Sequence, residues 1–392
     1  MRILQINKFH FPKGGADVHY LRLSELLSKA GHEVSHFSME HPSNFPSGDS
    51  EFFSPYVDFS GIRSFTNLCR IFARLWTNPE GKKRLERLLF IRRPQISHLH
   101  GIYHQLTASI LPVLKRNNIP MVMTVHDHYL LTPKYNVLRT EASFIKRTLA
   151  WLSWQWEQTR NVYRKHITKF ILPSQYMYDR FLSAGWPKES LALLPHFVEQ
   201  QPIHFTLPDQ TILFVGRLEE IKGVDVLLKA ASVLSPDWKI KIAGQGPEEM
   251  KLRALAKELK IEDRVEWLGY VPEEALLDEY KKAYITVVPS LAPETFGLTV
   301  AESLSCGTPV MVNKIGALPE LVREGENGYV VEITEDKEEL VRRWQDALRI
   351  AVTHTNYRDE LAKKTTKSVI HLDPEQYLEK LEALYVDVMS HV

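Results

Sequence analysis

The chain has 392 residues, 44% of them apolar and 25% charged, with a formal net charge of +1. That length exceeds what one core holds easily, so two domains are expected, and the near-zero charge excludes a globally basic nucleic-acid binder. The two cysteines, Cys69 and Cys306, are far apart and in no metal-ligand spacing, which predicts a reducing compartment and no disulfide framework. No signal peptide is read at Met1–Asn7 and no run of about 18 apolar residues occurs, so a cytoplasmic protein without a transmembrane helix is expected.

Arg2–Asn7 reads as a first strand. A turn containing Gly14 and Gly15 follows, then a helix with Leu23, Leu26, Leu27 and Ala30 on one face, then a strand over Glu33–Ser38. This is a β-α-β unit whose first turn is rich in glycine, which permits φ > 0 and close backbone approach to a ligand. The G-x-G-x-x-G dinucleotide fingerprint is not present. The bland alternative is a simple tight turn. Residues 61–94 look helical and basic, with Glu80 and Glu86 as the opposing acids. Strands are expected over Gln95–His100 and Pro120–Val125, the second ending in His126-Asp127-His128. Residues 142–166 read as a long helical stretch carrying Trp151, Trp154 and Trp156 among cations. Phe170–Pro173 and Ala192–Pro195 are further strands, with Ser174 as a cap for the helix between them. Val198–Asp209 reads as a linker.

A second α/β alternation follows. Strands are expected over Thr211–Val215, Trp238–Ala243, Val265–Leu268, Ile285–Val288 and Pro309–Val312, with helices at Asp225–Leu234 and Pro272–Ala283. Glu326–Tyr329 is a turn into an edge strand, and Lys337–Ala351 and Pro374–Met389 are closing helices. The pattern predicts two Rossmann-like α/β domains with a cleft between them: 1–198, joined by a C-terminal helix within 374–392, and 209–373.

The chemistry concentrates in the second half. Leu291–Glu302 joins a buried strand to a helix, and Phe296, Gly297, Leu298 and Thr299 sit where loop becomes helix. Free N–H groups and the dipole make that terminus a natural anion site. Glu294 lies before it and Glu302 about two turns inside. Arg217 and Lys222 follow the strand at Thr211–Val215 and supply counter-charge suited to a diphosphate. No Asp-x-Asp occurs, so no metal and no cofactor are expected. His126, with Asp127 beside it, reads either as structural or as a hydrogen-bonding or acid–base group. Glu320 reads as a carboxylate answering a helix dipole.

These residues carry a resemblance. Phe214-Val-Gly-Arg217-Leu-x-x-x-Lys222-Gly, Pro289-Ser-x-x-x-Glu294-x-Phe-Gly297-x-x-x-x-Glu302 and Gly307-Thr-Pro-Val310 resemble the motifs of family 4 GT-B retaining glycosyltransferases. The Gly14-Gly15 turn, Val125-His126-Asp127, Pro173-Ser174 and Leu194-Pro195 add to it, so the resemblance spans nearly the whole chain. It implies a nucleoside-diphosphate-sugar donor and a glycan, lipid-linked or small-molecule acceptor. It places Arg217 and Lys222 on the diphosphate, and Glu294 on the donor sugar. It puts the Phe296–Thr299 backbone on the phosphates and Glu302 on the ribose. Gly14 and Gly15 would approach the phosphates and His126 the sugar. Catalysis would rest on Glu294, His126, Arg217 and Lys222, with retention and without a metal. It also implies that the last helix crosses back to the first domain. The chain departs from many relatives at His196, where they carry asparagine, and at Thr132-Pro133, where they carry Cys-Pro.

Two other readings share the architecture. A sugar-nucleotide epimerase would turn over the donor without an acceptor, and a non-catalytic sugar-nucleotide-binding subunit would bind without transfer. The basic helices at 61–94 and 142–166, with aromatics among their cations, predict peripheral contact with the inner face of a membrane or with a lipid-linked acceptor. The competing expectation is that the tryptophans are core and the cations a solvated face.

Overall fold

The computed structural model describes residues 1–57, 74, 76–132, 144–201, 209–353 and 364–390. They divide into two compact units. Unit 1 is Met1–Pro173, Met177–Leu194 and Leu378–Val392, and unit 2 is Ser174–Tyr176 and Pro195–Tyr377.

Unit 1 is built on a six-stranded parallel sheet in the order β2-β1-β3-β4-β5-β6. The strands are β1 (Arg2–Ile6), β2 (Glu33–Phe37), β3 (Ile96–Leu99), β4 (Met121–Thr124), β5 (Lys169–Leu172) and β6 (Leu191–Leu193). The crossovers carry α1 (Gly15–Lys29), α2 (Pro79–Arg92), α3 (Leu111–Arg116), α4 (Phe144–Thr159), α5 (Val162–His166) and α6 (Gln175–Ser183). Helix α1 forms because Tyr20, Leu23 and Leu27 recur at helical spacing and are fully buried. The chain order reverses between β1 and β3, so the segments after those strands meet at one carboxyl edge.

Unit 2 repeats the plan with β7 (Thr211–Val215), β8 (Lys239–Ala243), β9 (Val265–Gly269), β10 (Ile285–Val288), β11 (Val310–Asn313) and β12 (Gly328–Val331). Its parallel order is β12-β11-β10-β7-β8-β9, the doubly wound arrangement, and the reversal falls between β7 and β10. Helices α7 (Val224–Ala231), α8 (Glu249–Glu258), α9 (Glu273–Lys282), α10 (Leu298–Ser305), α11 (Leu318–Leu321) and α12 (Lys337–Thr353) cover the faces. Strands β10 and β11 are buried at every position, which explains their short continuous apolar runs.

The last helix, α13 (Pro374–Ser390), belongs to unit 1 from Leu378 onward. Leu381, Tyr385 and Val388 are buried there, and Tyr385 Oη lies 2.6 Å from His98 Nδ1 on β3.

Some sequence expectations change. The helical stretch expected over 142–166 is two helices, broken at Asn161, whose backbone is left-handed with φ 51°. Helices α3 and α8 were not read at all. Of the stretch at 61–94, residues 61–73 and 75 lie outside the described residues, as do 142–143, Pro133 and residues 202–208 of the linker. The described basic residues there are less free than the sequence implied. Arg74 is buried and donates to Gln105 O at 2.8 Å. Arg84 pairs with Glu40, and Arg92 pairs with Asp49 at 2.7 Å, so acids distant in sequence join Glu80 and Glu86.

Candidate functional site

In unit 2 the switch point collects the segments after β7 and β10. Leu291 N–H donates to Ile221 O at 2.8 Å, which joins the two loops directly. Gly223 sits at the crossing with φ 68°, and a Cβ there would stand 2.0 Å from Pro289 O. Only glycine allows this approach and this backbone angle together. The crossing brings Lys222 against Glu294: Lys222 Nζ donates to Glu294 Oε1 at 2.6 Å. Two residues 72 apart in sequence thus form one ion pair, three-quarters or more buried on both sides.

Glu294 is held from behind. Trp344 of α12 is fully buried and donates Nε1–H to Asn313 Oδ1 at 2.8 Å. Asn313 Nδ2 donates to Ser290 O at 3.0 Å, and Ser290 Oγ donates to Glu294 Oε1 at 2.7 Å. The Glu294 backbone carbonyl accepts Ala317 N–H at 2.9 Å. A buried relay from α12 therefore fixes a carboxylate at the sheet's carboxyl edge, and a fully satisfied network of this kind rigidifies its site.

Gly297 is the N-cap of α10, with φ 103°. Its carbonyl accepts from Val300 and Ala301, so Leu298 and Thr299 present the first-turn N–H groups of the helix. Phe296 is buried and packs edge-on to His196, with ring centroids 5.1 Å apart. Further along α10, Glu302 accepts Tyr280 Oη–H at 3.1 Å. Arg217 is half-exposed and pairs with Glu219 at 2.8 Å rather than with Lys222's partner. Lys222, Glu294 and the Phe296–Thr299 turn thus lie on one pair of crossing loops. Glu302 and Arg217 each have a separate carboxylate or phenol partner. Glu320 lies in the first turn of α11, as expected, and its carboxylate also accepts the N–H groups of Gln175 and Tyr176.

Unit 1 has its own cluster at the carboxyl edge of its sheet. Gly14 is the N-cap of α1 with φ −167°, an extended angle open to any residue, and neither Gly14 nor Gly15 has positive φ. The expectation that these glycines serve a left-handed turn is therefore corrected. A Cβ on Gly14 would meet only Asp17 Oδ2 at 3.9 Å, so the fold around it leaves room for a larger residue. Asn7 Nδ2 donates to Asp17 Oδ1 at 2.8 Å, and Asn7 Oδ1 accepts Gly101 N–H at 3.0 Å, stapling the segments after β1 and β3 to α1. Asp17 is buried, and burial raises its pKa above the usual carboxylate value.

His126 follows β4. Its ring lies 5.5 Å from His19 of α1 and stacks on His100 at 5.1 Å, and its Nε2 is 2.8 Å from His100 Nδ1. His100 Nε2 in turn is 2.8 Å from Gln5 Oε1. An amide oxygen only accepts, so His100 donates to Gln5 and accepts from His126. Gln5 Nε2 has no partner in that orientation, and the reversed amide reverses the relay. In both cases Gln5 sets the tautomer of His126 through His100. Burial, and then the Lys8 charge, push the His126 pKa down to about 3, so the ring is neutral at physiological pH. That removes a cationic acid from the roles considered for it, and the neutral ring can still hydrogen-bond.

Sequence reading missed Gln5, Asn7, His98, His100, Ser290, Asn313 and Tyr280. A signal existed for four of them. Gln5 and Asn7 flank Ile6, and His98 and His100 flank Leu99, so each pair falls on one side of a buried strand at period two.

Two family models match the chain. The model described as Glycosyltransferase Family 4 matches residues 13–201 and that described as Glycosyl transferases group 1 matches residues 199–368. The chain is 26% identical over 350 residues to an uncharacterized 42.6 kDa protein in the cps region of Klebsiella pneumoniae, covering 86% of this chain and 91% of that protein. It is 38% identical over 134 residues to the D-inositol 3-phosphate glycosyltransferase of Acidothermus cellulolyticus, covering 31% of this chain and 30% of that protein. Among solved structures, HepE of Anabaena in complex with UDP and glucose superposes with a TM-score of 0.71 at 17% identity, over 98% of this chain and 99% of that one.

Proposed function

The chain belongs to glycosyltransferase family 4 and has the GT-B fold, and from this premise we propose that it moves a sugar from a nucleoside-diphosphate-sugar to a hydroxyl acceptor, with retention and without a metal. The observation that carries the reading is the Lys222–Glu294 ion pair at the β7/β10 switch point, beside the first turn of α10. One site then presents a cation and free N–H groups for phosphate oxygens and a carboxylate for hydroxyls, with contact between the two grips. Arg217 adds a second cation for the diphosphate, and Glu302 lies further along α10 for the ribose. HepE, a structural neighbour, was solved with UDP and glucose, which supports a nucleotide-sugar donor.

In the proposed step the acceptor oxygen attacks the anomeric carbon on the face from which the diphosphate leaves. The bond from that carbon to the diphosphate oxygen breaks, and the acceptor proton passes to the departing diphosphate. The products are a glycoside of unchanged anomeric configuration and a nucleoside diphosphate. Lys222 and Arg217 stabilise the charge that develops on the leaving group. Glu294 orients the donor sugar and forms no bond to carbon. In unit 1 the neutral His126 contributes a hydrogen bond to a sugar hydroxyl, and the open space at Gly14 admits a phosphate close to the backbone.

The test is calorimetric titration of nucleoside diphosphates into wild type and Lys222→Ala, with and without EDTA. The reading expects binding that EDTA leaves unchanged and that Lys222→Ala weakens by about tenfold, the worth of one charge-assisted hydrogen bond. Binding that requires an added divalent cation, or equal affinity in a folded Lys222→Ala protein, would contradict it.

A further inference from the structure

Unit 1 carries a cavity of about 780 Å³ that shares no residue with the strand-end cluster around His126. Helix α2 supplies Lys82 and Lys83, the end of α4 supplies Trp156, Arg160 follows α4, α5 supplies Lys165, and Trp76 precedes α2. One acid, Glu86, lines the wall, and it is bound to Arg116 at 3.0 Å. Among the described residues no carboxylate lies within ion-pair distance of Lys82, Lys83, Arg160 or Lys165. Arg160 sits 5.1 Å over the Trp156 ring. The two tryptophans are only partly buried, so they are walls of the cavity and not core.

The frame is rigid. Asn78 is fully buried, its Oδ1 accepts Gly81 N–H at 2.9 Å, and its Nδ2 donates to Ser54 Oγ at 2.8 Å, fixing the start of α2. Four like charges around one cavity repel each other and are stabilised together by a multivalent anion. A neutral glycan would leave those charges unanswered. Aromatic faces beside them favour apolar contact next to the charge.

We propose that this cavity is a binding site for a phosphate ester that carries an apolar chain, the phosphate held by Lys82, Lys83 and Lys165 and the chain lying along Trp76 and Trp156. The proposal stands on unit 1 alone and does not depend on the donor reading. Two sources supply this chemistry: a phospholipid in a membrane surface, or a lipid phosphate bound singly from solution.

The experiment separates them. Dihexanoyl phosphatidic acid and inorganic phosphate are titrated into the full chain while tryptophan fluorescence is followed. Sedimentation is measured with vesicles of phosphatidylcholine alone and of phosphatidylcholine with phosphatidylglycerol. The short-chain lipid is expected to bind saturably and inorganic phosphate much more weakly. Lys82→Glu/Lys165→Glu should weaken binding by roughly tenfold or more. Lys251→Glu/Lys257→Glu, an equal charge change on exposed positions of α8, should leave it unchanged. Melting curves check each fold, and Lys83→Ala serves if the double variant does not fold. Sedimentation with the anionic vesicles alone, reversed by salt, assigns the membrane source. Short-chain binding without sedimentation assigns the single lipid phosphate. The site is overturned if neither probe binds, if inorganic phosphate binds as well as the amphiphile, or if the cavity and control variants behave alike.

Discussion

Lys222 and Glu294 satisfy each other at 2.6 Å in a partly buried setting. Removing either leaves the other charge without its partner, so each single change costs more than one ligand contact. Turnover is therefore expected to fall by at least about tenfold in Lys222→Ala and in Glu294→Ala, the scale of one charged hydrogen bond. Because the two groups touch, the double variant should lose less than the product of the singles, which kcat/KM values in a double-mutant cycle will show. Gln5 acts at a distance through His100. Gln5→Met is expected to lower kcat by about fivefold, one neutral hydrogen bond, while nucleoside-diphosphate affinity stays as in wild type. The charged residues of the switch point were legible in the sequence because their spacing around a strand-loop-helix unit is itself informative. The relay Trp344–Asn313–Ser290 was not, because hydrogen bonds between residues far apart in sequence leave no periodic trace.

The loop after β7 and the loop after β10 cross at Gly223, and that crossing makes the site. Gly223→Ala would place a Cβ 2.0 Å from Pro289 O at a positive φ, so the loops must part. A loss of about 1–3 kcal/mol in unfolding free energy is expected from the strain, measured by denaturant titration, with weakened nucleotide binding beside it. Unchanged stability and unchanged binding would show that the crossing does not shape the site. Elements with strong apolar periodicity, such as α1, were readable. Helix α8 was not, because among its residues only Leu252 and Ala256 are buried, and its remaining apolar residues, such as the exposed Met250, are interspersed with charges. Helix α3 is short and carries Pro112 near its start, which hid it. The break at Asn161 escaped notice because asparagine tolerates the left-handed angle while the helical composition continues on both sides.

Across the molecule the histidines are unevenly placed. Burial is the largest cause of the lowered pKa values of His10, His36 and His104, at about 4, and of His98 and His126, at about 3, and all five lie in unit 1. Below pH of about 6.5 the unfolded chain takes up protons that these rings refuse, so stability falls with acid by up to ~1.4 kcal/mol per pH unit for each. Glu157, also in unit 1 and raised to about 7 by burial, opposes this. Its contribution is present at low pH and lost as pH rises from 4.5 to about 7, and buried Asp17, also raised, acts in the same direction, so two carboxyls stand against five histidines. Calorimetry at pH 7.5 and pH 5 should therefore show the unit 1 transition falling more than the transition that nucleoside diphosphate raises. Equal shifts would contradict the buried, neutral state of these histidines. The account as a whole rests on the switch point of unit 2 acting as the donor grip. Its most direct test is a screen of nucleoside-diphosphate-sugars, scoring nucleoside diphosphate release with acceptor mixtures, for wild type and Glu294→Ala side by side. The account predicts release from one donor class by wild type, unaffected by EDTA and at least about tenfold slower in folded Glu294→Ala protein. Wild-type rates in that variant would contradict it.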